Sequence, residues 1–239
     1  MPASYGQFCP VAKAMELLDE RWTLLVVREL MLGSRHFNAL RRGLPRMSPA
    51  LLSKRLHTLV RAGVVDRSHE GNRITYQLSP AGKELEPIVE ALGCWGIRWI
   101  PDIGDEDLDP HLLLWDIHRN IDRNEVPDGR TVLHFVFTDL TLAARHWWIV
   151  ITTDGVDVCD VDPGFEVRVT VEAGLRTLTL VWRGDLGWAD AIRSGDMALH
   201  GETDARRALP RWLMLSPLAP TPRPEPGDAE GRSLATAGY

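Results

Sequence analysis

The sequence predicts two folded units in series, a mainly helical unit carrying one β-hairpin and then an α+β unit. Three observations carry that prediction. The chain has 239 residues, more than the ~100–200 of an ordinary single domain. Helical spacing prevails up to residue 100, whereas short strand-like runs prevail between 131 and 171. Between them Pro101 to Pro110 (PDIGDEDLDP) is acidic and bounded by prolines, so 101–110 is read as a linker. Charge divides at the same place. Residues 1–101 hold 14 Lys+Arg and 9 Asp+Glu, a net of +5, and residues 102–239 hold 13 and 24, a net of −11; together they give −6. A basic front joined to an acidic rear points to a polyanion met by the front alone.

Each front element has its own signal. Val11, Met15, Leu18 and Trp22 step by four, three and four, as along one helix face. Thr23 to Leu32 is almost wholly apolar and ends at Gly33, as a buried helix would. Ser34 is read as the N-cap of the next helix, RHFNALRRG, which stops at Gly43 and Pro45. Ser48-Pro49 opens a further helix (PALLSKRLHTLVRA) that ends at Gly63. Val64-Val65 and the alternating Ile74, Tyr76 and Leu78 predict two strands joined by a polar SHEGN loop. Ser79-Pro80 then caps one long helix in which Leu85, Ile88, Leu92, Trp95 and Trp99 form a three–four seam.

The helix opened at Ser48 carries the chemistry. Leu52, Leu56 and Leu59 share a narrow arc, so at ~100° per residue Ala50, Lys54, His57 and Arg61 face the opposite way, with Ser53 at the edge. A face that is small or polar first and basic further on suits entry into a DNA major groove. The preceding turn adds Arg41, Arg42 and Arg46, and the hairpin adds Arg67, His69 and Arg73 for backbone phosphates. A single basic helix is more often a solvated face. Three basic elements in this order make a winged helix-turn-helix that binds DNA.

Residues 9–100 resemble the HxlR family of bacterial winged-helix regulators, relatives of the MarR group, through CPVAKAMELLDERWTLLVVRELMLG, RHFNALRRGLPRMSPALLSKRLHTLVRAGVV and YQLSPAGKEL. The resemblance implies a homodimer on a near-palindromic double-stranded DNA operator, with 49–62 as recognition helix and 65–77 as wing. The wing tip, SHEGNRITY, departs from it in being only partly basic. Spacing points to a dimer independently, because the seam of Leu85, Ile88, Leu92, Trp95 and Trp99 exceeds what one small domain needs on its last helix; packing on the chain's own rear unit is the alternative. In some members the cysteine at the position of Cys9 senses oxidants, which makes Cys9 a redox candidate, since a thiol at a helix N-terminus can have a lowered pKa. Cys94 and Cys159 are read as buried and structural.

In the rear, 111–122 is read as a helix with Leu113, Ile117 and Ile121 at spacing four, and 131–137, 146–152, 156–160 and 165–171 as strands, with Asp154-Gly155 as a hairpin turn. Helices at 175–182 and 188–193, a strand at 197–200 and a closing helix at 204–213 complete an α+β domain over 111–215. The run from Leu175 to Leu213 resembles the end of a sterol carrier protein-like domain, a likeness extending over about 130–213. That resemblance implies an apolar tunnel for a lipid or other hydrophobic ligand, with Phe135, Phe137, Trp147, Trp148 and Trp182 as candidate lining; a closed aromatic core is the alternative. Residues 216–239, with prolines at 217, 220, 222, 224 and 226, are read as disordered, and residues 1–8 as a mobile lead.

Nothing in the sequence supports catalysis, a metal or a cofactor: GxGxxG, GxxxxGK[ST], HExxH, CxxC and GxSxG are all missing. No run approaches 18 apolar residues, the start lacks the form of a secretion signal, and three cysteines cannot be a disulfide framework, so the expectation is a cytoplasmic protein without a membrane partner. The expected function is a transcription regulator, a repressor by family habit, answering to a ligand in the rear domain or to Cys9 oxidation. The rivals are a lipid-binding protein whose front domain only dimerises, and an enzyme using the rear pocket.

Overall fold

The computed structural model describes residues 4–100 and 102–224 and divides into two compact units at Trp95/Gly96. The first runs α1 (Pro10–Leu18), α2 (Thr23–Met31), α3 (Phe37–Gly43), α4 (Pro49–Arg61), β1 (Val65–Glu70), β2 (Arg73–Leu78), α5 (Pro80–Lys83) and, as far as Trp95, α6 (Glu86–Trp99). Its core joins Val26, Val27 and Leu30 of α2 to Leu40 of α3, to Leu44 and Met47 of the following turn, and to Leu52, Leu56 and Leu59 of α4. Val65 and Leu78 close it from the hairpin. Burying each such side chain contributes about 1.5–3 kcal/mol, so the leucine spacing of α4 is what seats it.

Four expectations change in this unit. Val11 and Met15 are exposed, and Trp22 stands beyond α1 at φ +79, where a left-handed turn swings it onto the core and breaks the predicted face. Ser34 does not cap α3, which begins after His36; the Ser34 hydroxyl donates instead to the buried Glu29 Oε2 at 3.1 Å. The polar loop shrinks to the two residues Gly71 and Asn72, with β1 running on to Glu70; Gly71, at φ +60, supplies the positive φ that such a tight turn needs at its first position. The long last helix is two helices: Ser79 caps α5 through Gly82 N–H while donating to Gly63 O at 2.6 Å, and the chain bends at Glu84-Leu85 before α6.

The second unit is a five-stranded mixed sheet with helices on one side. After α7 (Pro110–Arg119) come β3 (Thr131–Phe137), β4 (His146–Ile151), β5 (Val156–Cys159), β6 (Val169–Ala173), α8 (Leu175–Arg183), α9 (Trp188–Ser194), β7 (Met197–Gly201) and α10 (Thr203–Leu213). The strand order is β5-β4-β3-β6-β7, antiparallel except for the parallel β3–β6 pair. Alternation puts Leu133, Phe135 and Phe137 into a core with Leu114, Ile117, Leu178, Val181 and Leu209. The other face buries Val132, Trp148 and Val150 against Cys159.

Two expectations differ from the structure here, at the sixth strand and at residues 216–224. The sixth strand begins at Val169, not at 165, because its register is set by β3, Leu133 facing Val169; Phe165 stays outside, under the guanidinium of Arg130 at 3.8 Å. The expected linker is tied down by Arg176, which donates to Ile103 O at 2.8 Å and pairs with Asp105 at 2.6 Å. Residues 216–224 are held rather than disordered: Ser216 N–H donates to Trp182 O at 2.9 Å, and Arg223 clasps Asp185 at 2.6 Å and Arg183 O at 2.9 Å. The expectation of disorder for 225–239 lies outside the described residues. In the expected mobile lead, Ser4 and Tyr5 hydrogen-bond Glu16 and Asp19 of the α1 region.

Candidate nucleic-acid interface

The α3–turn–α4 segment presents a cationic surface, and local chemistry places it. Ser48 Oγ accepts the Leu51 N–H at 3.3 Å and Pro49 fills the first turn, so α4 starts cleanly. With Leu52, Leu56 and Leu59 turned inward, Ser48, Ala50, Ser53, Lys54, His57 and Arg61 are all exposed, as are Arg41, Arg42 and Arg46. Between Glu29 and Asp66 the chain carries no carboxylate and seven Lys+Arg: Arg35, Arg41, Arg42, Arg46, Lys54, Arg55 and Arg61. Only Arg55 among them is buried. Rich in cations and with no carboxylate in its own stretch of chain, this surface raises a positive potential that attracts polyanions.

Two buried charges hold the surface, and both escape sequence reading. Arg55 is 6% exposed; its Nε donates to Arg21 O at 3.0 Å and its guanidinium pairs with Glu20, pinning α4 to the α1–α2 turn. Glu29 is fully buried. It accepts from Arg28 at 2.9 Å and from Ser34, and Arg28 also donates to Gly43 O at 3.2 Å, so α2 is stapled to the end of α3. A Cβ on Gly43 would lie 1.8 Å from Glu29 Oε2, so only glycine lets the carboxylate in. Arg55 lies 34 residues from Arg21 and Arg28 lies 15 from Gly43, so neither link leaves a spacing signal.

The hairpin supports the surface less well than its sequence suggests. Arg67 faces Tyr76 and His69 faces Ile74, on one side of the ribbon, whereas Arg73 pairs across from Glu70 on the other. All three are exposed, but they do not converge on one face.

The remaining candidates are dispersed. Ile88, Leu92 and Trp95 are about half exposed along α6 (49%, 49% and 48%), while Leu85 turns onto the front core and Trp99 is partly buried. Cys9 is the N-cap residue of α1, partly buried, with no side-chain capping bond. Cys94 and Cys159 are partly rather than fully buried, and none of the three is in a disulfide. The five proposed pocket residues do not line one cavity. Phe135, Phe137, Trp147 and Trp182 interlock in the helix-side core, whereas Trp148 lies across the sheet, stacked on His134 at 4.8 Å. Burial, and then the neighbouring His146, hold the His134 imidazole below its ordinary pKa of 6.5. Among the described residues no cluster of His, Cys, Asp and Glu could hold a metal, and no helix is long and apolar enough to cross a membrane.

The HxlR-like helix-turn-helix family matches residues 17–103. Three relatives bear the name of uncharacterized HTH-type transcriptional regulator. YvaP of Bacillus subtilis (strain 168) is 38% identical over 99 residues, which are 40% of this chain and 92% of the relative. Rv3095 of Mycobacterium tuberculosis (strain ATCC 25618 / H37Rv) is 42% identical over 96 residues; those cover 38% of this chain and 59% of that protein's length. The protein sll1512 of Synechocystis sp. (strain ATCC 27184 / PCC 6803 / Kazusa) is 34% identical over 98 residues, 40% of this chain and 73% of the relative. The family match ends at residue 103, ahead of α7 and the mixed sheet.

Proposed function

Because the chain belongs, through residues 17–103, to the HxlR-like helix-turn-helix family, we propose that it is a homodimeric transcription regulator that represses from a near-palindromic operator. The observation that carries this is the acid-free span between Glu29 and Asp66, whose exposed cations gather on α3, the turn and α4. Lys54 and His57 read base edges from the groove, while Arg41, Arg42, Arg46 and Arg61 hold phosphates on either side. The half-exposed stripe of Ile88, Leu92 and Trp95 meets its copy across a twofold axis, which sets two α4 helices ~34 Å apart. The sterol carrier-like rear unit serves as the sensing domain: a ligand bound there shifts operator affinity by its preference for one of two conformations. A lipid carrier whose front unit only dimerised would leave the cationic surface without a role.

A salt titration of duplex binding tests the proposal. If a dimer neutralises about six phosphates, log K falls with log salt at a slope near −5, and affinity drops about 10³-fold between 50 and 200 mM salt. Lys54→Ala weakens operator binding by about 1–3 kcal/mol and relaxes base preference. A slope near zero, or Lys54→Ala binding as tightly as the parent, contradicts the assignment.

A further inference from the structure

An open groove of about 450 Å³ lies in the second unit between α9, β7 and α10, and its chemistry is two-sided. Trp188, Ala189, Ile192, Leu199 and Pro210 give an apolar wall; Thr203, Arg206 and Arg207 give a polar edge. The arginines are the unusual part. Of the twelve described arginines between 102 and 224, seven pair with carboxylates: Arg119, Arg168, Arg176, Arg183, Arg193, Arg211 and Arg223. Arg123 and Arg145 donate to carbonyls, and Arg130 covers a phenyl ring. Arg206 has only a 3.3 Å bond to the Thr203 hydroxyl, and Arg207 has no hydrogen bond or ion pair among the described residues. In a segment with nine more acids than bases, two adjacent arginines without a carboxylate are a conspicuous omission. Two of the residues that line the groove also carry a buried donor with no acceptor among the described residues, Trp188 Nε1 and Arg206 Nε. Buried donors are nearly always satisfied, so these two add to the unmet polar groups of the residues that line the groove.

We propose that this groove binds an amphiphilic carboxylate, its apolar body against Trp188, Ile192, Leu199 and Pro210 and its anionic head on Arg206 and Arg207. A guanidinium matches a carboxylate geometrically through paired N–H donors, and the groove's size suits a medium-length chain or a single ring system. The apolar wall disfavours a bare anion, and the two cations favour an anionic head over a neutral one. The link to gene control rests on the rear unit being the sensing domain; the binding itself does not.

Calorimetric titration of the full chain, without DNA, tests the site with decanoate, decanol and acetate as probes. Decanoate binds; decanol, with the same chain and no charge, binds about tenfold more weakly or worse, and acetate gives no saturable heat. Arg207→Gln, an exposed position that leaves the fold intact, weakens decanoate about tenfold and leaves decanol unchanged. Arg206→Gln behaves alike, and Ile192→Asp weakens both long-chain probes. Equal affinity for decanoate and decanol, an unaltered Arg207→Gln, or no decanoate site filled below about 1 mM overturns the proposal. Decanoate that binds as described without changing DNA affinity upholds the site and removes only its sensing role.

Discussion

Replacing Arg55 by leucine separates holding α4 in place from the DNA contacts proposed for it. Leucine keeps the aliphatic stem, so the packing beside Leu52, Leu56 and Leu59 survives, and what disappears is the guanidinium. Its Nε bond to Arg21 O is a bond from a charged donor, which contributes about 1.5–3 kcal/mol. The Glu20 side chain is 38% exposed, so water re-solvates its carboxylate and that pair adds less than about 1 kcal/mol. Relief of the buried cation's desolvation offsets part of the sum. The net loss is about 2 kcal/mol, or a fall of about 8–16 °C in the melting temperature of a unit this size. Thermal denaturation followed by circular dichroism reads it. Glu20→Gln alone costs little, and Arg55→Leu on that background costs less than on the parent, because the two share one contact. At a temperature where both proteins are folded, the salt slope of DNA binding stays the same, since Arg55 never meets a phosphate. A melting temperature within about 2 °C of the parent, or a slope shallower by about one charge, would refute its placement.

Three other changes test other parts of the molecule. Gly43→Ala drives a methyl group into the Glu29 carboxylate and destabilises the front unit by about 1–3 kcal/mol in urea unfolding; adding Glu29→Ala recovers part of the loss, and strict additivity would rule the clash out. Trp95→Asp places a charge in the half-exposed stripe of α6, so sedimentation should show monomers, and an intact dimer would move the interface elsewhere. Because folding lowers the His134 pKa, the unfolded chain binds the proton more readily; stability of the rear unit is full above pH 6.5 and falls as pH drops through the folded value. His134→Gln flattens that fall, and identical pH profiles would show that His134 is not its source.

Local rules made much of this fold legible. The Ser48-Pro49 start, the leucine spacing of α4, the hairpin behind it and the Asp154-Gly155 turn are decided by neighbours in sequence, and the exposed cationic face follows from helical geometry. What failed depends on distant partners. Arg55 sits where a leucine would be expected, and its burial makes sense only with the Arg21 carbonyl 34 residues away. Phe165 to Val171 alternates evenly, so periodicity cannot say where pairing begins; β3 decides that. The aromatic residues of the rear unit read as a cluster in composition, but a one-residue step from Trp147 to Trp148 crosses the sheet. Arg206 and Arg207 look like two more surface charges until their neighbours are known.

The parallel β3–β6 pair sets an order of assembly. Leu133 waits for Val169, 36 positions later (169 − 133), and β6 in turn pairs with β7, which ends at Gly201. In the front unit, β1 meets β2 across two residues, and the core elements lie within the first 90. Close-range contacts form quickly and distant ones slowly, so a growing chain completes its cationic half while the middle of the rear sheet is still unsynthesised. Under the proposed function, a fragment ending just beyond residue 100 would keep the cationic surface while lacking the unit proposed to sense a ligand.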